Sequence, residues 1–488
     1  MNSKRNLIYA GIIVWATLLS ILNISIARRS SDHSVLNPLV DACDLIHKHY
    51  VKETDDQELI TGAINGMLHN LDPYSEYIPP KEVEEFRKQT SGTYDGIGIS
   101  IDIKDGWLTV ISPFENTPAY NAGVRAGDKI MEVNGQSTKG WSTDRAVKEL
   151  TGKSNTDVSI KVLHLDGSEE TIQITRKEVH MPTVRGWRRS TLNGAWDYLL
   201  DEENGIGYIK ITQFTTDTDK ELDRAVKKLE THNMKSLILD LRWNPGGLMA
   251  PAVQVVDRFI EQGVIVSMKG AHSVVHEENA SLTNTYPRLP LVVLIDQTSA
   301  SGSEIVAGAL QDHSRAVIVG KRSYGKGSVQ KLFRLPESGG AVKLTTDYYY
   351  LPKGRCVHRL PDTDAWGVDP DIEEGLDLNQ EELAQLRKLM NKLTVEALTE
   401  SVKNGQKNNG AKTDETPTES EEAIAKTEQA QKREQAKQLL ALDNQLAQAV
   451  KQCKGLLRAQ PTLPSLAETF TSTPKETEKP KPDMPAQN

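Results

Sequence analysis

The spacing of apolar residues changes along the chain, and each change predicts a different kind of element. Through residues 35–91, apolar positions recur every three or four residues, as at Leu39, Cys43, Ile46 and Tyr50. Such spacing places these side chains on one face of a helix. We therefore expect a helical N-terminal segment over 35–91, interrupted by a proline-bounded turn.

The period changes from residue 92 onward, where apolar and polar residues alternate. Alternation of this kind predicts half-buried strands, and it occupies residues 96–101, 108–111, 158–163 and 170–174. Glycine-containing turns separate these stretches. The sequence therefore predicts a β-rich domain over residues 92–177.

A third pattern begins at residue 178, where short β-branched runs alternate with amphipathic helical stretches. The predicted strands are 205–212, 236–241, 264–266, 291–295 and 316–320, and the predicted helices are 219–229, 249–260 and 304–311. Strands that alternate with helices are typical of a mainly parallel sheet covered by helices. We expect residues 178–376 to form an α/β core, with one more strand at 341–351.

The composition becomes polar beyond residue 376. We expect a helical extension at 377–402, a disordered linker at 403–430, an amphipathic helix at 431–460 and a disordered tail at 461–488. The amphipathic helix carries an apolar stripe made of Leu439, Leu442, Leu446, Val450, Cys453 and Leu457. That stripe requires a partner, which is either the body of the protein or another chain.

The first 34 residues have the composition of a targeting segment. Lys4 and Arg5 precede an apolar run over residues 7–27, and about 20 apolar residues are enough to span a bilayer. We expect an uncleaved signal-anchor with a cytoplasmic N-terminus. A signal peptide cleaved after Ala27 is the alternative. In both cases the rest of the chain is exported.

Composition and motifs exclude several functions. The net charge of −9 over 488 residues argues against a nucleic-acid partner, because such partners require a basic surface. Cys43, Cys356 and Cys453 are odd in number and have no short spacings, so they suggest neither a disulfide framework nor a zinc site. Neither a His-Glu-x-x-His motif nor a phosphate-binding glycine-rich loop occurs. We expect neither a metal nor a cofactor.

The segment after the fourth predicted strand has the chemistry of a nucleophile. Ser299, Ser301 and Ser303 lie at a strand-to-helix junction, close to the free N–H groups of a helix start. A serine hydroxyl needs a base, and Lys326 can serve if burial keeps its amine neutral. Gln330 can hold that amine without adding charge. The alternative is that the glycine-flanked lysine lies in an exposed turn.

Three blocks of the α/β region carry a family resemblance. They are Asp240-Leu-Arg-Trp-Asn-Pro-Gly-Gly247, Ser299-Ala-Ser-Gly-Ser-Glu-Ile305 and Tyr324-Gly-Lys-Gly-Ser-Val-Gln330. Together they resemble the signature blocks of the carboxyl-terminal processing (tail-specific) protease family, and the resemblance covers about residues 35–376. It implies a serine endopeptidase with an α/β fold, whose mixed-sheet core is crotonase-like or ClpP-like.

The same resemblance implies roles for single residues of the dyad. Ser301 is implied as the nucleophile, Lys326 as the general base and Gln330 as the residue that positions the lysine. On chemical grounds alone, Ser299 and Ser303 compete with Ser301 for the first role. Only the family spacing to Lys326 favours Ser301.

The resemblance also implies an oxyanion hole, which needs preorganised hydrogen-bond donors. The N–H groups of Gly302 and Gly247 are implied as these donors, with Gly246 as the alternative to Gly247. The chain departs from the family in two places. Gly302 stands where the family often has alanine, and the segment that contains Cys356 and His358 is unusual. A Cys–His site built from that pair is the less favoured alternative.

The β-rich domain resembles a PDZ domain. The resemblance is carried by Gly96-Ile97-Gly98-Ile99 and by the signature Ala122-Gly-Val-Arg-Ala-Gly-Asp-Lys-Ile130. It implies that backbone N–H groups of Gly96, Ile97, Gly98 and Ile99 bind the terminal carboxylate of a peptide, which adds to the sheet edge as a strand. Arg125 within the signature is a candidate for sensing that ligand. The alternative is that these glycines serve only as turns.

The predicted protein is therefore an exported, membrane-tethered endopeptidase of the bacterial cell envelope, on the periplasmic side of the inner membrane. Its expected partners are unfolded or flexible protein C-termini. An adaptor protein, and a homo-oligomer formed through the C-terminal helices, are further candidates. The rival prediction is a non-catalytic PDZ scaffold on a hydrolase-like core.

Overall fold

The computed structural model describes residues 33–190, 195–281, 286, 288–361, 363–373, 375, 377–396 and 419–459. The chain forms two compact units. One contains residues up to 79 together with 333–344, and the other contains 80–332 together with the residues from 345 onward. The predicted signal-anchor lies outside the described residues. None of the helices described is long and apolar enough to cross a bilayer.

The first unit is mainly helical, as its apolar spacing predicts. A 3-10 turn at His33–Leu36 leads into α1 (Asn37–His49), and α2 (Asp56–His69) follows. Asp55 caps α2, because its carboxylate accepts a hydrogen bond of 2.7 Å from the Gln57 N–H. Strand β1 (Glu76–Ile78) then pairs antiparallel with residues 341–343 of the same unit. Helix α1 has no buried residue within the described structure.

The second unit begins with α3 (Val83–Ser91) and the β-rich domain. Its elements are β2 (Thr93–Gly96), β3 (Ile99–Lys104), β4 (Trp107–Pro113), α4 (Pro118–Asn121), β5 (Lys129–Val133), β6 (Gln136–Ser137), α5 (Thr143–Leu150), β7 (Asp157–Leu163), β8 (Glu169–Thr175) and β9 (Lys177–His180). An antiparallel sheet of order β3-β4-β5-β7-β8 surrounds an apolar core. The entering strand β2 pairs with the leaving strand β9.

The α/β core is built on a mostly parallel sheet. Its elements are β10 (Val184–Arg185), β11 (Arg188–Arg189), β12 (Trp196–Asp197), β13 (Leu199–Asp201), β14 (Ile206–Ile211), α6 (Thr218–Glu230), β15 (Ser236–Asp240), α7 (Met249–Asp257), β16 (Val264–Lys269), β17 (His276–Asn279), β18 (Leu291–Ile295), α8 (Gly302–Asp312), β19 (Val317–Gly320), β20 (Ser328–Arg334) and β21 (Ala341–Tyr350). Strands β14, β15, β18 and β19 run parallel, while β10 and β13 pair antiparallel with β14.

The core also contains strands outside that parallel sheet. Strand β16 pairs antiparallel with β17 and with residues 348–350 of β21. Both faces of β15 and β18 are buried, as their uninterrupted apolar runs predict. Because β15 and β18 pair in parallel, their carboxyl ends lie side by side. A polar loop follows each of these ends.

The C-terminal part corrects the sequence prediction. Helix α9 (Gln380–Asn391) is followed, after a gap in the description, by α10 (Glu419–Leu442) and α11 (Asn444–Ala459). Residues 419–430 are therefore helical, although their composition predicted a linker, and the predicted helix at 431–460 breaks at Asp443. The polar composition misled because long-range ion pairs hold this segment. Glu428, for example, lies 2.6 Å from Arg188.

The two C-terminal helices form a hairpin that packs on the parallel sheet. The apolar stripe that the sequence predicted contributes Leu439, Leu446, Val450 and Cys453 to a buried cluster. The same cluster contains Tyr208, Ile238, Val292 and Leu294 from the sheet. The partner of the stripe is thus the body of the protein.

Candidate active site

Ser301 lies at the turn from β18 into α8, in an unusual backbone conformation. It is the N-cap residue of α8, with φ of 53° and ψ of −111°. Positive φ is rare for a residue with a Cβ atom and marks strain that the surrounding structure must hold. The side chain is half-buried. The turn therefore presents one hydroxyl at the end of the parallel sheet.

The two neighbouring serines are fully buried and structural. The Ser299 hydroxyl donates to the Leu241 carbonyl oxygen at 2.9 Å and accepts from the Asp296 N–H at 2.9 Å. The Ser303 hydroxyl donates to the Asn244 carbonyl oxygen at 2.9 Å. Both hydroxyls have zero exposed area, so they hold the loop after β15 against the loop after β18. Neither is accessible to a substrate.

A buried carboxylate, which the sequence reasoning missed, joins the serine to the lysine. Oε2 of Glu304 accepts hydrogen bonds of 2.8 Å from the N–H groups of both Ser301 and Lys326. Because the Ser301 and Lys326 nitrogens both lie 2.8 Å from this one oxygen, they can be no farther apart than twice that distance. Oε1 accepts at 2.6 Å from the Ser323 hydroxyl and at 2.6 Å from the Gly325 N–H. Burial raises the pKa of Glu304, and these four hydrogen bonds oppose the rise.

The signal for Glu304 was present in the sequence. A Ser-x-x-Glu spacing before an apolar helical run is a capping box, in which the glutamate reaches back to the N-cap N–H. Here the serine of that box is Ser301 itself. Glu304, the acidic residue of this capping box, therefore also fixes the main chain of the segment that carries Lys326.

A second link between the two segments is the buried hydroxyl of Tyr349. It lies 3.0 Å from the carbonyl oxygen of Ser301 and 2.7 Å from that of Lys326. Burial raises the pKa of this phenol well above its usual value, so it stays protonated and donates. Tyr349 and Glu304 together hold the main chains of Ser301 and Lys326 as one unit.

Lys326 and Gln330 lie four residues apart, on the approach to β20 and within it. Lys326 is half-buried. The Gln330 amide nitrogen donates to the Ser328 hydroxyl at 3.0 Å and to the Thr345 hydroxyl at 3.1 Å. These two bonds use the amide hydrogens, so the carbonyl oxygen of Gln330 is its acceptor for a lysine amine.

The loop after β15 approaches Ser301 closely at Gly246. A Cβ atom on Gly246 would lie 2.7 Å from the Ser301 Cβ atom and 2.9 Å from the Gly302 nitrogen. The Gly246 N–H already donates to the Asn244 side chain at 2.9 Å. Within the described residues, the N–H groups of Gly247 and Gly302 have no hydrogen-bond acceptor. This arrangement favours Gly247 over Gly246 as an oxyanion donor.

The alternative Cys–His site has unsuitable chemistry. Burial raises the pKa of the Cys356 thiol, which disfavours the thiolate that a cysteine nucleophile needs. The His358 Nδ1 atom accepts from the Gly327 N–H at 3.2 Å. The imidazole therefore supports the loop at Lys326 rather than activating Cys356.

The predicted peptide-binding loop of the β-rich domain has a tyrosine against it. Gly98 has a φ of 83°, and the carbonyl oxygens of Ile97 and Gly98 accept from the Ala119 and Phe114 N–H groups at 2.9 Å each. The Tyr94 oxygen faces the N–H groups of Ile99 and Gly98, and burial raises its pKa to about 12. Sequence reasoning did not single out Tyr94.

Arg125 lies in the turn of the PDZ-like signature. Its N–H donates to Asp128 at 2.8 Å, and its guanidinium lies 3.9 Å from the carboxylate of Asp166. The side chain is about half exposed. The structure thus places Arg125 in a surface turn of the domain.

Family models match three parts of the chain. Residues 205–374 match peptidase family S41, residues 85–163 match the PDZ domain, and residues 18–81 match the N-terminal domain of the activating protease CtpB. A carboxy-terminal-processing protease of Bartonella bacilliformis is 36% identical over 370 residues, which cover 74% of this chain and 80% of that protein.

Two further relatives are similar over much of the chain. The carboxy-terminal processing protease CtpA of Bacillus subtilis is 33% identical over 71% of this chain and 70% of its own length. A solved structure of a photosystem II D1 C-terminal processing protease is 27% identical, covers 72% of this chain and 90% of its own, and superposes with a TM-score of 0.40.

Proposed function

This chain belongs to peptidase family S41, and on that premise we propose that Ser301 and Lys326 form its catalytic dyad. The chain is a serine protease of the C-terminal processing class and contains a PDZ domain. The observation that supports the dyad is the Glu304 carboxylate, which receives hydrogen bonds from the N–H groups of both residues. Tyr349 adds a second bridge between their carbonyl oxygens.

In the proposed reaction, Ser301 Oγ attacks the carbonyl carbon of the scissile peptide while its proton passes to the neutral amine of Lys326. The N–H groups of Gly247 and Gly302 receive the developing oxyanion. The C–N bond then breaks, and the leaving amine takes the proton from Lys326. Water then attacks the acyl-enzyme while Lys326 takes one of its protons. The ester C–O bond breaks, and Lys326 returns that proton to Ser301 Oγ, which regenerates the hydroxyl and the neutral amine. Gln330 orients the amine through its carbonyl oxygen.

We further propose that the PDZ domain selects substrates by their C-termini. The loop Gly96–Ile99 would receive the terminal carboxylate of a flexible chain, which adds beside the sheet. Because this domain precedes the core in the same compact unit, recruitment and cleavage occur on one body. Displacing the Tyr94 hydroxyl from the N–H groups of Gly98 and Ile99 would be part of binding.

The location and assembly of the protein are also proposals. The apolar run at 7–27 after two basic residues supports export and an inner-membrane anchor, with the rest on the periplasmic side. An adaptor protein stays a prediction. The stripe that favoured a homo-oligomer through the C-terminal helices contacts the chain's own sheet, so that mode of assembly loses its support.

The dyad is tested with Ser301→Ala and Lys326→Ala on an unfolded protein with a free C-terminus. Each variant should lose at least about a thousand-fold in cleavage rate, because nucleophile and base act as one unit. Thermal unfolding should stay near that of the wild type. Lys353→Ala, at an exposed lysine after β21, serves as the matched control and should cleave normally.

Cleavage retained by either variant would contradict the dyad. A fluorophosphonate reagent tests the rival scaffold function in the same samples. It should label the wild type and Lys353→Ala but not Ser301→Ala. An unlabelled wild-type protein that binds C-terminal peptides would instead favour the non-catalytic scaffold.

A further inference from the structure

Beneath the proposed oxyanion loop lies a buried arginine whose hydrogen-bonding capacity is fully used. The Arg242 guanidinium directs its Nε and one Nη2 hydrogen to Asp240, at 3.0 and 2.7 Å. The remaining hydrogens go to the two carboxylate oxygens of Asp443, at 2.8 Å each, and to the Gln445 side-chain oxygen at 3.1 Å. The five N–H hydrogens of the guanidinium are thus all bonded to the side chains of Asp240, Asp443 and Gln445.

Asp443 and Gln445 come from the C-terminal hairpin, 201 positions and more away from Arg242 in sequence. Asp443 lies at the break between α10 and α11, and its carboxylate also accepts from the Leu446 N–H at 2.9 Å, which caps α11. It is 3% exposed. This hairpin lies outside the stretch that matches peptidase family S41.

The main chain at Arg242 transmits this constraint to the loop. The Arg242 N–H donates to Asp240 at 2.9 Å, and its carbonyl oxygen accepts from Lys210 Nζ at 2.9 Å. Two residues on, the Asn244 carbonyl oxygen accepts from the Ala300 N–H at 3.1 Å, beside Ser301. A shift of the guanidinium therefore moves the turn that bears Gly247.

We propose that Asp443 is a positioning residue for catalysis, which holds the oxyanion loop through Arg242. The proposal rests on the proposed roles of Ser301 and Gly247. Two carboxylates, Asp240 and Asp443, balance the buried charges of Arg242 and Lys210. Removing one carboxylate leaves a buried positive charge without its partner, which is strongly unfavourable. The loop of residues 243–247 continues directly from Arg242 in the chain and contains Gly247.

Asp443→Asn tests the proposal in the full-length protein. Asparagine keeps the cap of α11 but removes the charge opposite Arg242. Because displacing a catalytic group by about 1 Å can cost roughly a hundred-fold, kcat should fall by about ten- to a hundred-fold. KM should stay within roughly two-fold, since the loop contacts the transition state and not the substrate tail.

Lys432→Met is the matched control. It removes the ion pairs in which Lys432 Nζ lies 3.0 Å from Asp197 and 2.8 Å from Glu202. These ion pairs also hold the hairpin to the core, but they lie on α10 away from the loop of residues 243–247. Lys432→Met should lower the unfolding temperature, as Asp443→Asn does, yet keep kcat. Gln445→Met, which removes one acceptor and no charge, is the milder variant if Asp443→Asn does not fold, and should lower kcat by a smaller factor.

An unchanged kcat in Asp443→Asn, or in Gln445→Met where only that variant folds, overturns the proposal. An equal fall of kcat in Lys432→Met also overturns it, because the effect would then be loss of hairpin stability. Ser301→Ala is assayed in parallel. If Ser301→Ala still cleaves, the proposed function itself is wrong. If Ser301→Ala is inactive while Asp443→Asn is fully active, only the role of Asp443 is wrong.

Discussion

At the scale of the residue, Ser301 shows how the fold supports an unfavourable conformation. A residue with a Cβ atom at such dihedral angles costs about 1–3 kcal/mol. The Ser301 N–H donates to Glu304, while its carbonyl oxygen accepts from the N–H groups of Glu304 and Ile305 and from the Tyr349 hydroxyl. These bonds offset the strain, because they hold the peptide groups on both sides of Ser301 in place.

Ser301→Gly should therefore be more stable than Ser301→Ala. Both lack the hydroxyl, but glycine adopts positive φ readily, so its free energy of unfolding should be higher by about 1 kcal/mol. Urea denaturation of both variants measures the difference. Ala447→Gly in α11 is the control for an ordinary helical position and should lose about 1 kcal/mol. An alanine variant as stable as the glycine variant would argue that Ser301 carries no strain.

At the scale of the element, the β7–β8 hairpin holds the PDZ-like signature turn through one histidine. His164 is 5% exposed, and its Nδ1 atom lies 2.8 Å from Asp128 while Nε2 lies 3.4 Å from Glu170. Burial alone would lower the pKa of His164. The hydrogen bonds and charge of Asp128 and Glu170 outweigh burial and the repulsion from Arg125, so the pKa lies above its ordinary 6.5.

The stability of this domain should depend on pH through His164. A raised pKa means that the folded state binds the proton more tightly than the unfolded state. The stabilisation is then fully present below pH 6.5 and is lost as the pH rises through the folded-state pKa. His164→Gln should remove that dependence. Proton NMR of the His164 ring measures the titration, and a midpoint at or below 6.5 would contradict the ion pair.

At the scale of the whole molecule, the C-terminal hairpin is part of the catalytic unit. Its apolar side chains cover the parallel sheet. Ion pairs such as Arg188–Glu428, at 2.6 Å, hold α10 to the strands beside that sheet. The C-terminal hairpin thus closes the core. Without it, the sheet face that contains Ile238 and Val292 would be exposed to solvent.

Leu446→Ala should lower the free energy of unfolding by about 2–5 kcal/mol, since it leaves a cavity between α11 and the sheet. Leu446 is 1% exposed. Lys451→Ala, at an exposed position of the same helix, should change stability by less than about 0.5 kcal/mol. Denaturation curves followed by tryptophan fluorescence compare the two. Equal stabilities would mean that the hairpin does not contribute to the core.

The sequence was sufficient where chemistry and local pattern coincide. The runs at β15 and β18 predicted buried strands. The resemblance carried by the motif blocks indicated a serine peptidase of the C-terminal processing family and a PDZ domain. The sequence misjudged residues 419–430, because a polar helix that is held by ion pairs looks like a linker in composition. It left three serines open, because neighbours in sequence share the same local pattern.

Tertiary structure alone decided which groups meet. Packing buried the hydroxyls of Ser299 and Ser303 and left Ser301 accessible. It brought Glu304 and Tyr349 against Lys326, and it set Asp443 beneath a loop 201 positions earlier in the chain. Helices and strands depend mainly on residues that are close along the chain, so the sequence predicts them directly. The pairing of buried polar groups depends on which elements pack together, and only the folded chain determines that.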